Sequence, residues 1–121
     1  MANQSKQLDQ VFGALSDATR RAIVMRLCEG EASVGELAKP FEMALPSLMK
    51  HIHILESSGL VASEKSGRVR TCSLQAEALE TIEVWLAAQR EVWELRLDRL
   101  EVYVAKLKRE EKSNARKRKP R

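Results

Sequence analysis

From about Ala76 to Glu110 the chain contains neither glycine nor proline. Across that stretch Leu79, Ile82, Leu86, Trp93, Leu97, Leu100, Val104 and Leu107 recur at helical spacing. An unbroken helix of this length runs roughly 50 Å at about 1.5 Å per residue. The whole chain has 121 residues, the size of one domain. Hydrophobic residues make up 44% of it and aromatics only 4%, so aliphatic side chains must do most of the packing. So small a body cannot cover so long an apolar stripe. The stripe therefore predicts a second copy of the chain lying against it.

The segments before it are short and helical. Leu8, Val11, Phe12 and Leu15 predict a first helix over 8–15. Ser16-Asp17 offers N-cap chemistry for a second, which runs to about Cys28 and stops at Gly30. Ser33-Val34-Gly35-Glu36 is a capping box, with a Ser followed three residues on by a Glu. It predicts a short helix from Val34 to about Lys39. Pro46 fits the first turn of a fourth helix, in which Leu45, Leu48, Ile52 and Leu55 share one side and Gly59 marks the end. The period then changes to two. Leu60–Lys65 and Arg68–Leu74 predict a hairpin around Ser66-Gly67. Four helices, a hairpin and a long helix make a winged helix-turn-helix layout, mainly α with a two-stranded wing.

Charge is unevenly placed. The formal net charge is +4, but residues 106–121 alone carry +7, leaving −3 on the rest. Any nucleic-acid contact by the body must therefore use a local patch. The Leu45–Ser58 helix offers one. Pro46, Lys50 and His53 lie opposite its apolar side, Ser47 flanks them, and no acid occurs from Ala44 to Leu55. Lys can meet a guanine edge or a phosphate, and Ser can meet either. Lys65, Arg68 and Arg70 surround the flexible hairpin turn, where a wing can reach phosphate or the minor groove. Arg70 is ambiguous, because it shares a strand face with Cys72 and Leu74. The plainer alternatives are an amphipathic surface helix and a solvated turn.

The series Phe12-Gly13-Ala14-Leu15-Ser16-Asp17-Ala18-Thr19-Arg20-Arg21, Glu36-Leu37-Ala38, Pro46, His51-Ile52, Leu55-Glu56, Gly59-Leu60-Val61 and Gly67-Arg68 resembles the ArsR-type (arsenical-resistance repressor) winged-helix regulators. The later run Trp85-Leu86, Trp93-Glu94 and Leu97-Asp98-Arg99-Leu100 is similar to a metal-independent branch of that family. The resemblance spans about residues 8–104. It implies a homodimer that binds an inverted-repeat operator in double-stranded DNA, usually as a repressor. The expected DNA contacts are Ser33, Pro46, Ser47, Lys50, His51, His53, Lys65, Arg68 and Arg70. The expected dimer interface comprises Leu8, Val11, Phe12, Trp85, Leu86, Trp93, Leu97, Leu100 and Val104. Three positions depart from the family pattern: Ala44 and Met49 where Ser is common, and Cys72 where Tyr is frequent. Loss of the cap at Ala44 typically costs about 0.5–2 kcal/mol.

Metal-sensing relatives place Cys in the first helix of the helix-turn-helix, or His and Asp in the last helix. Here 33–40 holds no Cys, and the only histidines are His51 and His53. Residues two apart on a helix point about 200° away from each other, so this pair cannot chelate one ion. No metal and no cofactor is expected. Cys28 is expected in the core and Cys72 in the wing, with a redox switch between them as an alternative. No Gly-rich phosphate loop and no Cys beside an evident base supports catalysis. Trp85 and Trp93 share a face that could line a pocket for a small-molecule effector or pack at the dimer interface.

The expected organisation is a winged-helix DNA-binding and dimerisation domain over 5–104, then the helix end and a disordered basic tail over 105–121. With no signal peptide and no membrane-length apolar run, a cytoplasmic protein without membrane contact is expected. The competing classes are a winged-helix protein-interaction module and a redox- or ligand-responsive regulator.

Overall fold

The computed structural model describes residues 2–118. Its elements in chain order are α1 (Ala2–Ala14), α2 (Ala18–Leu27), β1 (Ala32–Ser33), α3 (Val34–Ala38), α4 (Leu45–Ser57), β2 (Val61–Ser66), β3 (Val69–Leu74) and α5 (Ala76–Arg118). The chain divides into two compact units, 1–83 and 84–121.

In the first unit the predicted helices are present, each within about a turn of its expected bounds except α1, which begins six residues early. The extra residues are polar and show no apolar period, but extending a helix costs far less than starting one. Asp17 caps α2, its carboxylate accepting from the backbone N–H of Arg20 at 3.1 Å. Ser33 caps α3 through the full capping box: its hydroxyl accepts from Glu36 N–H at 3.1 Å, and Ser33 N–H donates to Glu36 Oε1 at 3.3 Å. α4 starts at Ala44 with no side-chain cap.

The core of this unit is one cluster. Val11 and Ala14 of α1, Ile23 and Leu27 of α2, Leu37 of α3 and Leu48, Ile52 and Leu55 of α4 meet Leu60, Cys72, Ala78 and Ile82. Leu48, Ile52 and Leu55 are buried, as their spacing predicts, whereas Leu45 at the start of the same stripe is exposed. It precedes the turn at which α4 meets its neighbours.

The sheet has three strands, not two, in the order β1-β3-β2 and antiparallel throughout. Ala32 pairs with Cys72 and Ser33 with Thr71. This short strand fastens the start of α3 to the wing. The hairpin closes through Gly67 and Arg68, with Ser66 opposite Val69. Gly67 has φ 63°, the positive value a two-residue turn of the II′ kind requires at its first position. A β-carbon here would be strained, although nothing lies within 4 Å of it.

Cys28 stands exposed at the C-cap of α2 and not in the core, because α2 ends there and turns outward at Gly30. Cys72 is the buried one. In the second unit α5 continues as helix through Arg118, so 113–118 are not the disordered tail the charge run predicts. Ala, Arg and Lys are good helix formers, and an established helix carries them. Residues 119–121 of the predicted tail lie outside the described residues.

Candidate nucleic-acid interface

The surface built by α4 and the hairpin follows from which side each helix must bury. With Leu48, Ile52 and Leu55 inward, the opposite face of α4 is held outward. Pro46, Ser47, Lys50 and His53 are all exposed there. Met49 on the flank is half-buried against the core. His53 stands where this face meets a cleft of about 330 Å³ bordered by Gln10 and Gly13 of α1 and Ile54 of α4. At the hairpin tip Lys65, Ser66, Gly67 and Arg68 are exposed. Lys65 lies directly across from Arg70 in the ladder. The outward surface of α4 thus presents one cation and no carboxylate, and the hairpin presents two cations around a glycine turn.

Four predicted site residues belong elsewhere. His51 is half-buried, with its Nδ1 3.1 Å from Nη1 of Arg20 and 3.8 Å from Asp17 Oδ2. It ties α4 to α2 and is not held out toward DNA, because its place on the helix borders the buried face. Arg70 donates to Ser63 Oγ at 2.9 Å, and Ser63 Oγ donates to Glu56 Oε1 at 2.8 Å. Its face of β3 turns toward the core, so it braces the hairpin against α4. The Ser33 side chain is engaged in the capping box, donating to and accepting from Glu36. Val11 is 0% exposed within its own protomer's core, so it cannot be a dimer contact. Leu8 is half-buried, and Phe12 and the α5 residues Trp85, Leu86, Trp93, Leu97, Leu100 and Val104 are exposed.

Sequence reasoning missed Arg20. Its Nε donates to the carbonyl of Ala14 at 2.7 Å and its Nη2 to that of Gly13 at 3.3 Å, closing the end of α1 while Nη1 reaches His51. The available signal was its position three residues after the N-cap Asp17, which aims it back across the preceding turn.

The residues do not fit a metal. Among the described residues no three His, Cys, Asp or Glu side chains come together. Burial pushes the Cys72 thiol up, with the nearby Glu56 carboxylate adding to it, whereas a metal ligand must be a thiolate. His51 is engaged by Arg20. Nor do Trp85 and Trp93 border the α1–α4 cleft or a shallow one beside Leu100 and Val104 on α5. Among the described residues no helix is long and apolar enough to cross a membrane.

Comparison with known proteins agrees with this geometry. Residues 15–64 match the family described as a helix-turn-helix domain. The chain is 30% identical to the transcriptional repressor SdpR of Bacillus subtilis over 79 residues, covering 65% of this chain and 88% of that protein. A crystal structure of the ArsR family transcriptional regulator RHA00566 superposes with a TM-score of 0.73 at 57% identity, over 74% of this chain and 93% of that one. The homodimeric winged helix-turn-helix DNA-binding domain of Mb0332 from Mycobacterium bovis superposes with a TM-score of 0.60 at 25% identity, over 75% of this chain and 86% of that one.

Proposed function

Because the chain belongs to the ArsR-type winged helix-turn-helix transcriptional regulators, we propose that two copies of it grip an inverted-repeat operator, each laying α4 in a major groove. The protein is a DNA-binding transcriptional repressor. The observation that carries the proposed mode is the acid-free outward face of α4, exposed at Pro46, Ser47 and Lys50, in the same unit as the exposed cations Lys65 and Arg68.

In this mode Lys50 meets a base edge or phosphate from the middle of α4. Ser47 and the first turn of α4 meet phosphate, which a helix N-terminus favours. Arg68 at the wing tip reaches phosphate or the minor groove. The second copy is supported by the apolar residues left outward on α5 and by the homodimer of Mb0332. Two symmetric heads call for symmetric DNA, with half-sites roughly 10 or 20 base pairs apart. Repression then follows from occupancy of the operator. The reading involves no catalytic step and no metal, and it places the protein with the DNA in the cytoplasm.

Selection from random duplex DNA with the purified protein tests this. A palindromic consensus is the expected result. A single asymmetric half-site at saturating protein would overturn the two-fold arrangement. No enrichment at all would overturn operator binding and leave a protein-interaction module in its place.

A further inference from the structure

The C-terminal unit contains a line of apolar side chains spaced more regularly than burial in one chain would need. Trp93, Leu97, Leu100, Val104 and Leu107 follow one another at intervals of four, three, four and three. That is the a/d repeat of a coiled coil, with Trp93, Leu100 and Leu107 at d and Leu97 and Val104 at a. All five are substantially exposed, Trp93 at 60% and Leu100 at 55%. Arg90 occupies the preceding a position and Glu111 the following one, so charges bound the line at both ends. The segment lies wholly within unbroken helix. The family match ends at residue 64, before α5 begins.

We propose that residues 93–107 form a two-stranded, parallel, in-register coiled coil with the same segment of a second copy. The proposal rests on the homodimer put forward above and adds its register and direction. Parallel pairing stacks five like-on-like apolar layers over about 21 Å of helix. It also sets Arg96 at g against Glu101 at e of the partner subunit, an attractive pair that the two-fold axis repeats. Val at a with Leu at d favours two strands. The best antiparallel arrangement, with Leu97 opposite Leu107, would bring Trp93 against Glu111 and Glu101 against its own copy. A second apolar line, Val92, Leu95 and Val102, is broken by Arg99 and Lys106 and offers no continuous seam.

The test is cysteine cross-linking of the full chain carrying Cys28→Ser, with sedimentation reporting the oligomeric state separately. In a parallel coil the two d positions at 100 approach within disulfide reach, whereas position 102 faces away. Leu100→Cys is expected to convert most of the dimer to a covalent species under mild oxidation, and Val102→Cys to convert little. A dimer in which Leu100→Cys fails to link overturns the seam while leaving the homodimer standing. Linking only between a Leu97→Cys chain and a Leu107→Cys chain overturns the parallel direction. A monomer by sedimentation overturns both the seam and the homodimer.

Discussion

Nη1 of Arg20 lies 3.1 Å from Nδ1 of His51, thirty-one residues further along the chain. Since a guanidinium only donates, Nδ1 must accept, which requires His51 in its Nε2–H tautomer. The other nitrogens of the same fork hold the carbonyls of Ala14 and Gly13. One half-buried side chain thus closes α1 and touches the middle of the helix proposed to enter the groove.

Arg20→Lys should therefore be far from conservative, because an ammonium cannot reproduce a fork that bonds three groups at once. The expected loss is about 1–3 kcal/mol of stability, mostly from carbonyls left without a donor. Urea denaturation measures it, as a lower midpoint with an unchanged slope. His51→Asn, which keeps an acceptor near the Nδ1 position, should lose less than His51→Leu.

Acid should weaken the fold through its caps. The backbone N–H of Arg20 holds the Asp17 carboxyl below its ordinary 3.8. The backbone N–H and then the hydroxyl of Ser33 hold Glu36 below its ordinary 4.5. Each group is more acidic folded than unfolded, so its contribution is complete above the unfolded value and disappears as pH falls through the folded one. Stability is expected to be level above about pH 5 and to decline below about pH 4. Asp17→Asn keeps a capping oxygen but does not titrate, and should flatten part of that decline. Equal slopes for wild type and Asp17→Asn in urea midpoints from pH 7 to pH 3 would refute the assignment.

The two thiols should differ sharply. Cys28 is exposed, while Cys72 is buried and its thiol is pushed up by that burial. Alkylation of the native protein at neutral pH should modify Cys28 alone, with Cys72 reacting only on denaturation. Rapid double labelling of the native state would contradict the buried position of β3.

Much of this was legible in the sequence, for reasons that particular residues make clear. Leu48, Ile52 and Leu55 have a single buried side, so helical period alone gives both the core and, by subtraction, the exposed Lys50. Gly67 marks its own turn. By contrast, β1 is two residues long, too short to show alternation, and it exists only because β3 supplies the ladder. His51, Arg70 and Val11 were misassigned because their partners come from other elements. Period says which way a side chain leaves its helix or strand, but not what it meets. For Arg70, sharing a face with Cys72 was the hint that it turns inward.

The cations proposed to contact DNA should separate from those that do not when mutated singly. Lys50 is exposed on the outward face of α4, so Lys50→Ala should relax sequence preference, a base contact being worth about 1–3 kcal/mol of discrimination. Arg68 is exposed at the wing tip, and Arg68→Ala should lower affinity for all duplexes and flatten the salt dependence by about one phosphate contact. Arg70 removes the same formal charge when changed to Ala, but its guanidinium is directed at Ser63, which bonds Glu56. Arg70→Ala should therefore lower thermal stability and leave the salt slope near that of wild type. Operator titrations at several salt concentrations, alongside melting curves, distinguish the three. If Arg70→Ala flattened the salt slope as much as Arg68→Ala while melting normally, the bracing role would be wrong and Arg70 would return to the interface. If neither Lys50→Ala nor Arg68→Ala changed binding at any salt, the groove-facing role of α4 and the wing would have to be given up.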